Sequence, residues 1–82
     1  MIEVLYFAWL RERIGVPREQ VNTDAKTVAE LVAELMARED RYGAAFADLS
    51  ALRVAVDQQL CDFDAPLAGA REVAFFPPMT GG

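Results

Sequence analysis

Histidine is absent from this chain and cysteine occurs once, at Cys61. These two shortages remove a Ser-His-Asp triad, a Cys-His nucleophile pair, a histidine-bearing zinc site and an intrachain disulfide. A glycine-rich phosphate loop is missing too, so nothing points to nucleotide binding by the chain itself. No apolar run approaches the roughly 18 residues of a membrane span, and no basic segment precedes an apolar one at the N-terminus. Positive charge is scarce: eight Lys and Arg stand against thirteen Asp and Glu, a net −5 that opposes a phosphate backbone and points to a basic protein partner. The expectation is a cytoplasmic protein with no nucleic-acid or membrane partner, no bound cofactor or metal, and little self-contained catalysis.

What is present suits one small globular unit. The chain has 82 residues, 54% of them apolar, enough for a single domain that buries roughly 60–65% of its unfolded surface. Ile2 to Ala8 reads as a strand, with Ile2, Val4 and Tyr6 on one face and Glu3, Leu5 and Phe7 on the other. Trp9 to Ile14 suits a short helix closed by Gly15, and Pro17 to Thr23 a returning strand. Thr27 and Glu30 have capping-box spacing. Behind them Val28, Leu31, Val32, Leu35 and Met36 form one apolar stripe, with a Glu34–Arg38 pair on the other face and a helix end expected before Gly43. Ala44 to Ala51 is ambiguous. Leu52 to Val56 and Gln59 to Cys61 read as strands joined at Asp57-Gln58, residues 62 to 67 as a loop, and Glu72 to Phe76 as the last strand.

Alternation in that last strand places Val73 and Phe75 on one face and Glu72, Ala74 and Phe76 on the other, so the adjacent aromatics cannot share a core. Matching its charged face to that of the first strand puts Phe7 and Phe76 on one outer surface, with Leu60 near them. Exposed clusters of this kind mark protein interfaces, and burying three such side chains contributes on the order of 4–8 kcal/mol before association costs. One main helix crossing a mixed sheet of about five strands, with the first and last strands adjacent at its centre, is an α+β, ubiquitin-like β-grasp arrangement.

Pro77 and Pro78 then end the strand, because neither supplies the N–H that a ladder needs. The division expected is a domain over residues 1–76 and an extended arm over residues 77–82, with Met79-Thr80 as spacer and Gly81-Gly82 as a narrow, unhindered end bearing the α-carboxylate. That carboxylate is inert until its oxygen becomes a leaving group, for which the activating site must belong to another protein. Two other constellations are weaker. Asp62 and Asp64 are only two oxygen ligands and read as a solvated turn; Cys61 lacks an activating partner and reads as a half-buried strand residue.

The chain resembles the small subunit of molybdopterin synthase, the MoaD-type sulfur carriers. The residues that carry the likeness are Val4-Leu5-Tyr6-Phe7-Ala8, Leu10-Arg11-Glu12, Gly15, Thr27-Val28, Leu52 to Val56, Pro66-Leu67 and, most specifically, Glu72 to Pro78 with Thr80-Gly81-Gly82. The resemblance implies that Gly82, preceded by Gly81, is adenylated with ATP by an enzyme related to ubiquitin activators and converted to a thiocarboxylate with sulfur from a donor system. It further implies delivery of that sulfur inside the large synthase subunit to a cyclic pyranopterin monophosphate, forming the dithiolene. Phe7, Leu60, Phe76, Pro77, Pro78, Met79 and Thr80 are then partner-binding residues in a non-catalytic, sulfur-donating subunit. A carrier for thiamine or tRNA thiolation, a ubiquitin-like modifier and a passive binding module stand as alternatives.

Overall fold

Alternation in the first strand sets the two faces of the sheet. In a computed structural model that describes residues 1–78, β1 (Ile2–Tyr6) buries Ile2, Val4 and Tyr6 and leaves Glu3 and Leu5 half-exposed. It is followed by α1 (Trp9–Ile14), β2 (Arg18–Val21), α2 (Val28–Arg38), α3 (Asp40–Ala45), a 3-10 turn (Leu49–Ala51), β3 (Arg53–Val56), β4 (Gln59–Cys61) and β5 (Glu72–Phe76). The strands form one sheet in the order β2-β1-β5-β3-β4, with β1 and β5 parallel and the other pairs antiparallel. β5 is therefore central and flanked by the first strand, as the sequence pattern predicts.

The inner face carries the core. Phe75 is fully buried and meets three other rings: Phe46 edge-on with centroids 5.0 Å apart, and Tyr6 and Phe63 stacked at 6.3 and 6.4 Å. α2 contributes Val28, Leu31, Val32 and Leu35 to the same cluster. Its N-terminus is closed by several groups at once. Thr27 Oγ1 accepts from the Glu30 N–H at 3.2 Å, while the N–H groups of Val28 and Ala29 donate to the carbonyls of Ala65 and Phe63 in the loop before β5. That loop thus satisfies helix donors that water would otherwise have to meet. Glu30 does not reach back to the N-cap N–H; its carboxylate accepts from Lys26 instead.

Two expectations need correction, and one helix goes beyond them. β1 stops at Tyr6, because Ala8 takes φ 56° and ψ −132° and the Leu10 N–H closes a turn onto the Phe7 carbonyl at 3.2 Å. Met36 is 40% exposed, at the margin of the α2 stripe and outside the core. α2 ends at Arg38, before Gly43 as expected, because Glu39 is extended; a second short helix, α3, then begins, in which Gly43 lies and Tyr42 and Ala45 are buried. α3 tolerates this glycine because the tertiary contacts of its neighbours outweigh its propensity.

α3 is fastened by a polar network. Glu19, on the inner side of edge strand β2, accepts hydrogen bonds from the Tyr6 hydroxyl at 2.8 Å and the Tyr42 hydroxyl at 2.5 Å. Arg41 donates to the Ile14 carbonyl at 2.7 Å and to the Tyr42 oxygen at 3.1 Å, linking α1, α3 and the sheet. Burial and the adjacent Glu19 carboxylate raise the pKa of both phenols, that of Tyr42 to about 12. The turn Asp57-Gln58, with φ 49° and 69°, joins β3 to β4 as a hairpin whose two central residues are both left-handed.

Two outcomes are expected from these features. The folded chain holds its phenol protons more tightly than the unfolded one, so their stabilisation is complete below the ordinary value of 10.0; the contribution of Tyr42 is lost as pH climbs through about 12, and that of Tyr6, raised further, continues to fall above it. Denaturation midpoints should therefore fall above pH 10, and Tyr42→Phe should flatten that fall while costing about 1 kcal/mol at neutral pH. Ala8→Gly should raise stability by about 1 kcal/mol, because glycine takes this positive-φ turn without strain; thermal or urea unfolding measures it.

Candidate functional site

The register brings the outward residues of the strands into rows. Leu5 pairs with Arg18 on one side and Ala74 on the other; Ala74 pairs with Ala55, and Ala55 with Leu60. One row thus reads Arg18, Leu5, Ala74, Ala55, Leu60, with two alanines making a flat floor. Nearer the end of β5, Phe76 pairs with Arg53, and the Phe7 N–H donates to the Phe75 carbonyl at 3.1 Å, setting Phe7 beside Phe76. Towards the start of β5, Glu3 lies directly opposite Glu72 and beside Gln20, and the Asp57 N–H donates to the Glu72 carbonyl. The outer face is acidic at that end and aromatic where the chain leaves the sheet.

Phe7, Ala8, Ala74, Phe76 and Pro77 line an open apolar groove of about 440 Å³. Phe7 is 45% exposed and Leu60 72%, while Phe76 is half-buried. Phe7, Phe76 and Pro77 are therefore brought together. Leu60 shares their face but stands across the alanine floor from them and does not line the groove. Pro78 follows Pro77 outside β5, and both are half-buried. Met79, Thr80, Gly81 and Gly82, the remaining residues singled out in the sequence, lie outside the described residues.

Ala8, Ala74 and the flanking Arg18 and Arg53 were not singled out in the sequence. Ala8 has no turn-forming signature, and its place in the groove follows from its backbone conformation. The two arginines become neighbours of the apolar strip only once strand order and register are known. Pairing of outward parity with strand order would have found them. The weaker sequence candidates are accounted for locally. Cys61 is half-buried with its thiol 3.8 Å from the Val54 carbonyl, and Asp62 and Asp64 are exposed in the loop. Among the described residues no group of three metal-ligating side chains occurs, and no helix is long and apolar enough to cross a membrane.

Comparison with known proteins agrees with the architecture. The chain is 46% identical to the molybdopterin synthase sulfur carrier subunit of Escherichia coli and 40% identical to that of Haemophilus influenzae, in both cases over all of this chain and all of the relative. The crystal structure of SAMP1 from Haloferax volcanii superposes with a TM-score of 0.78 at 24% identity, covering 99% of this chain and 98% of that one, a likeness that establishes the ubiquitin-like β-grasp fold. The ThiS family model matches residues 4–82. With that match spanning almost the whole length and two full-length relatives beside it, the chain belongs to the ThiS family.

Proposed function

We propose that this chain is the sulfur carrier subunit of a molybdopterin synthase. The observation that carries the reading is the apolar groove formed by Phe7, Ala8, Ala74, Phe76 and Pro77 at the root of the Gly-Gly arm. A surface of this kind seats the domain on a partner, and the arm reaches from it into that partner's site. The names of the two full-length relatives supply the pathway.

The chemistry begins at the Gly82 carboxylate. Its oxygen attacks the α-phosphate of ATP held by a ubiquitin-activator-like enzyme, expelling pyrophosphate and leaving an acyl-adenylate. Sulfide-level sulfur from a donor system attacks the acyl carbon and expels AMP, giving a thiocarboxylate. Glycine leaves that carbon unhindered, and Gly81 keeps the approach narrow. The large synthase subunit then accepts the arm; the thiocarboxylate sulfur bonds to a side-chain carbon of a cyclic pyranopterin monophosphate, water cleaves the acyl–sulfur bond and restores the Gly82 carboxylate, and two such deliveries, one sulfur each, supply the dithiolene. Residues 77–82 act as the arm and residues 1–76 as the domain that presents it, in the cytoplasm. The chain contributes no cofactor and no catalytic side chain: ATP is used by the activating partner.

Intact-mass analysis after incubation with the activating enzyme, ATP and a sulfur donor should show replacement of one oxygen by sulfur at the C-terminus. An unchanged mass contradicts every carrier reading. Deletion of the gene should abolish molybdoenzyme activity, and retained activity with a new thiamine requirement assigns the carrier to thiamine instead. In binding titrations, Phe76→Asp should weaken association with the large subunit at least about tenfold while leaving the thermal midpoint close to that of the parent.

A further inference from the structure

The net charge of −5 describes the chain poorly where it matters for docking. On the half of the outer face nearest the point where β5 ends, the residues are Arg18, Leu5, Ala74, Ala55 and Leu60 in one row and Phe7, just past β1, with Phe76 and Arg53 in the next. None is acidic. Parity fixes the side on which the two arginines lie. Arg18 pairs with Leu5, and its neighbours Glu19 and Val21 alternate to the inner face. Arg53 pairs with Phe76, and the next residue, Val54, is fully buried.

Both arginines are exposed. The ion pairs among the described residues are Glu34–Arg38 and Glu39–Arg41, both within the helical segments, so neither Arg18 nor Arg53 is neutralised by this chain's described carboxylates. Arg53 is partly positioned by a hydrogen bond to its neighbour's carbonyl, Leu52 O, at 3.0 Å. In the strand order β2-β1-β5-β3 the two cations stand three strand spacings apart, about 15 Å, on opposite sides of the Leu5, Phe7, Ala74 and Phe76 strip. The carboxylates of this face, Glu3 and Glu72, sit in the row at the far end.

We infer that the surface which docks on this face is an apolar patch flanked by two carboxylates, one for Arg18 and one for Arg53, and that the occupant is the large synthase subunit. The inference rests on the docking reading above and adds the charge of the partner's rim. Apolar contact with Phe7 and Phe76 supplies most of the adhesion. The two arginines set the rotation of the domain about the strip, so that the end of β5 faces the partner's site. Charge complementarity of this kind adds orientation and encounter rate more than raw affinity. It also runs against the expectation from net charge, under which the partner is basic.

The two views differ in sign, and that makes the test sharp. Affinity for the large subunit is measured by calorimetric titration at several salt concentrations for the full chain and for Arg53→Glu, Arg18→Glu, the double variant and Glu3→Lys. The expected result is a loss of about tenfold for each arginine reversal, more for the double variant, and a change within twofold for Glu3→Lys, with unfolding midpoints close to the parent. Increasing salt should weaken the parent more than the double variant. If the net charge governs docking, the arginine reversals strengthen binding and Glu3→Lys weakens it, and the inference is overturned. Arginine reversals with no effect overturn it equally. A parent chain that does not bind the large subunit at all overturns the docking reading itself.

Discussion

The structure depends on the register of β5. Two large aromatics stand side by side at its end, and either could fill the core; only one can. What decides is the residue four before Phe76. With Phe75 inward, Val73 shares the core and Glu72 faces out. A slip by one residue would turn Phe76 inward at similar hydrophobic gain, but would carry Glu72 in with it, and an unpaired buried carboxylate costs several kcal/mol. Pairing with β1 on one side and β3 on the other then holds the register from both edges. The aromatic contacts of Phe75 with Tyr6, Phe46 and Phe63 add about 0.5–1.5 kcal/mol each beyond the area they bury.

The outer face follows from the same register. Once Phe75 is inside, Phe76 must lie outside, and the parallel pairing with β1 brings Phe7 to its side. The small side chains of Ala74 and Ala55 keep the neighbouring surface low. Ala8 completes the groove by turning the chain sharply after Phe7. Its positive φ is a local cost at the edge of the groove, of the kind that accompanies functional sites. The polar cluster of Glu19, Tyr6, Tyr42 and Arg41 serves a different purpose, since it ties α3 and the edge strand to the inner side of the sheet.

Much of this was legible in the amino-acid pattern, and what was not has physical reasons. Period-two alternation marked both faces of β1 and β5, because half-buried strands write their parity directly into residue type. Gly15 marked the end of α1, since its φ of 99° suits glycine. The end of α2 before Gly43 was legible, but α3 was not, because a short helix held by Tyr42, Ala45 and the Arg41 network tolerates a glycine that propensity alone would exclude. Met36 misled because the last residue of an apolar stripe is the first to leave the core. Ala8 was illegible: no side chain announces a strained turn. The proximity of Arg18 and Arg53 to the apolar strip was equally hidden, for it arises from pairings between strands far apart in the chain.

That last point bears on how a carrier with so little chemistry of its own achieves selectivity. Under the function proposed above, the reacting carboxyl belongs to Gly81-Gly82, which carries almost no information, since glycine offers no side chain for a partner to read. On that reading recognition resides in the domain, and an apolar patch alone permits many rotations of one flat surface upon another. Charged residues at separated points on the rim remove that freedom, because a misrotated complex leaves a cation facing apolar surface or a like charge. Arg18 and Arg53 are so placed on opposite sides of the strip, with Glu3 and Glu72 at its far end. An overall acidic chain can thus present, on one half of one face, an apolar strip flanked by exposed cations.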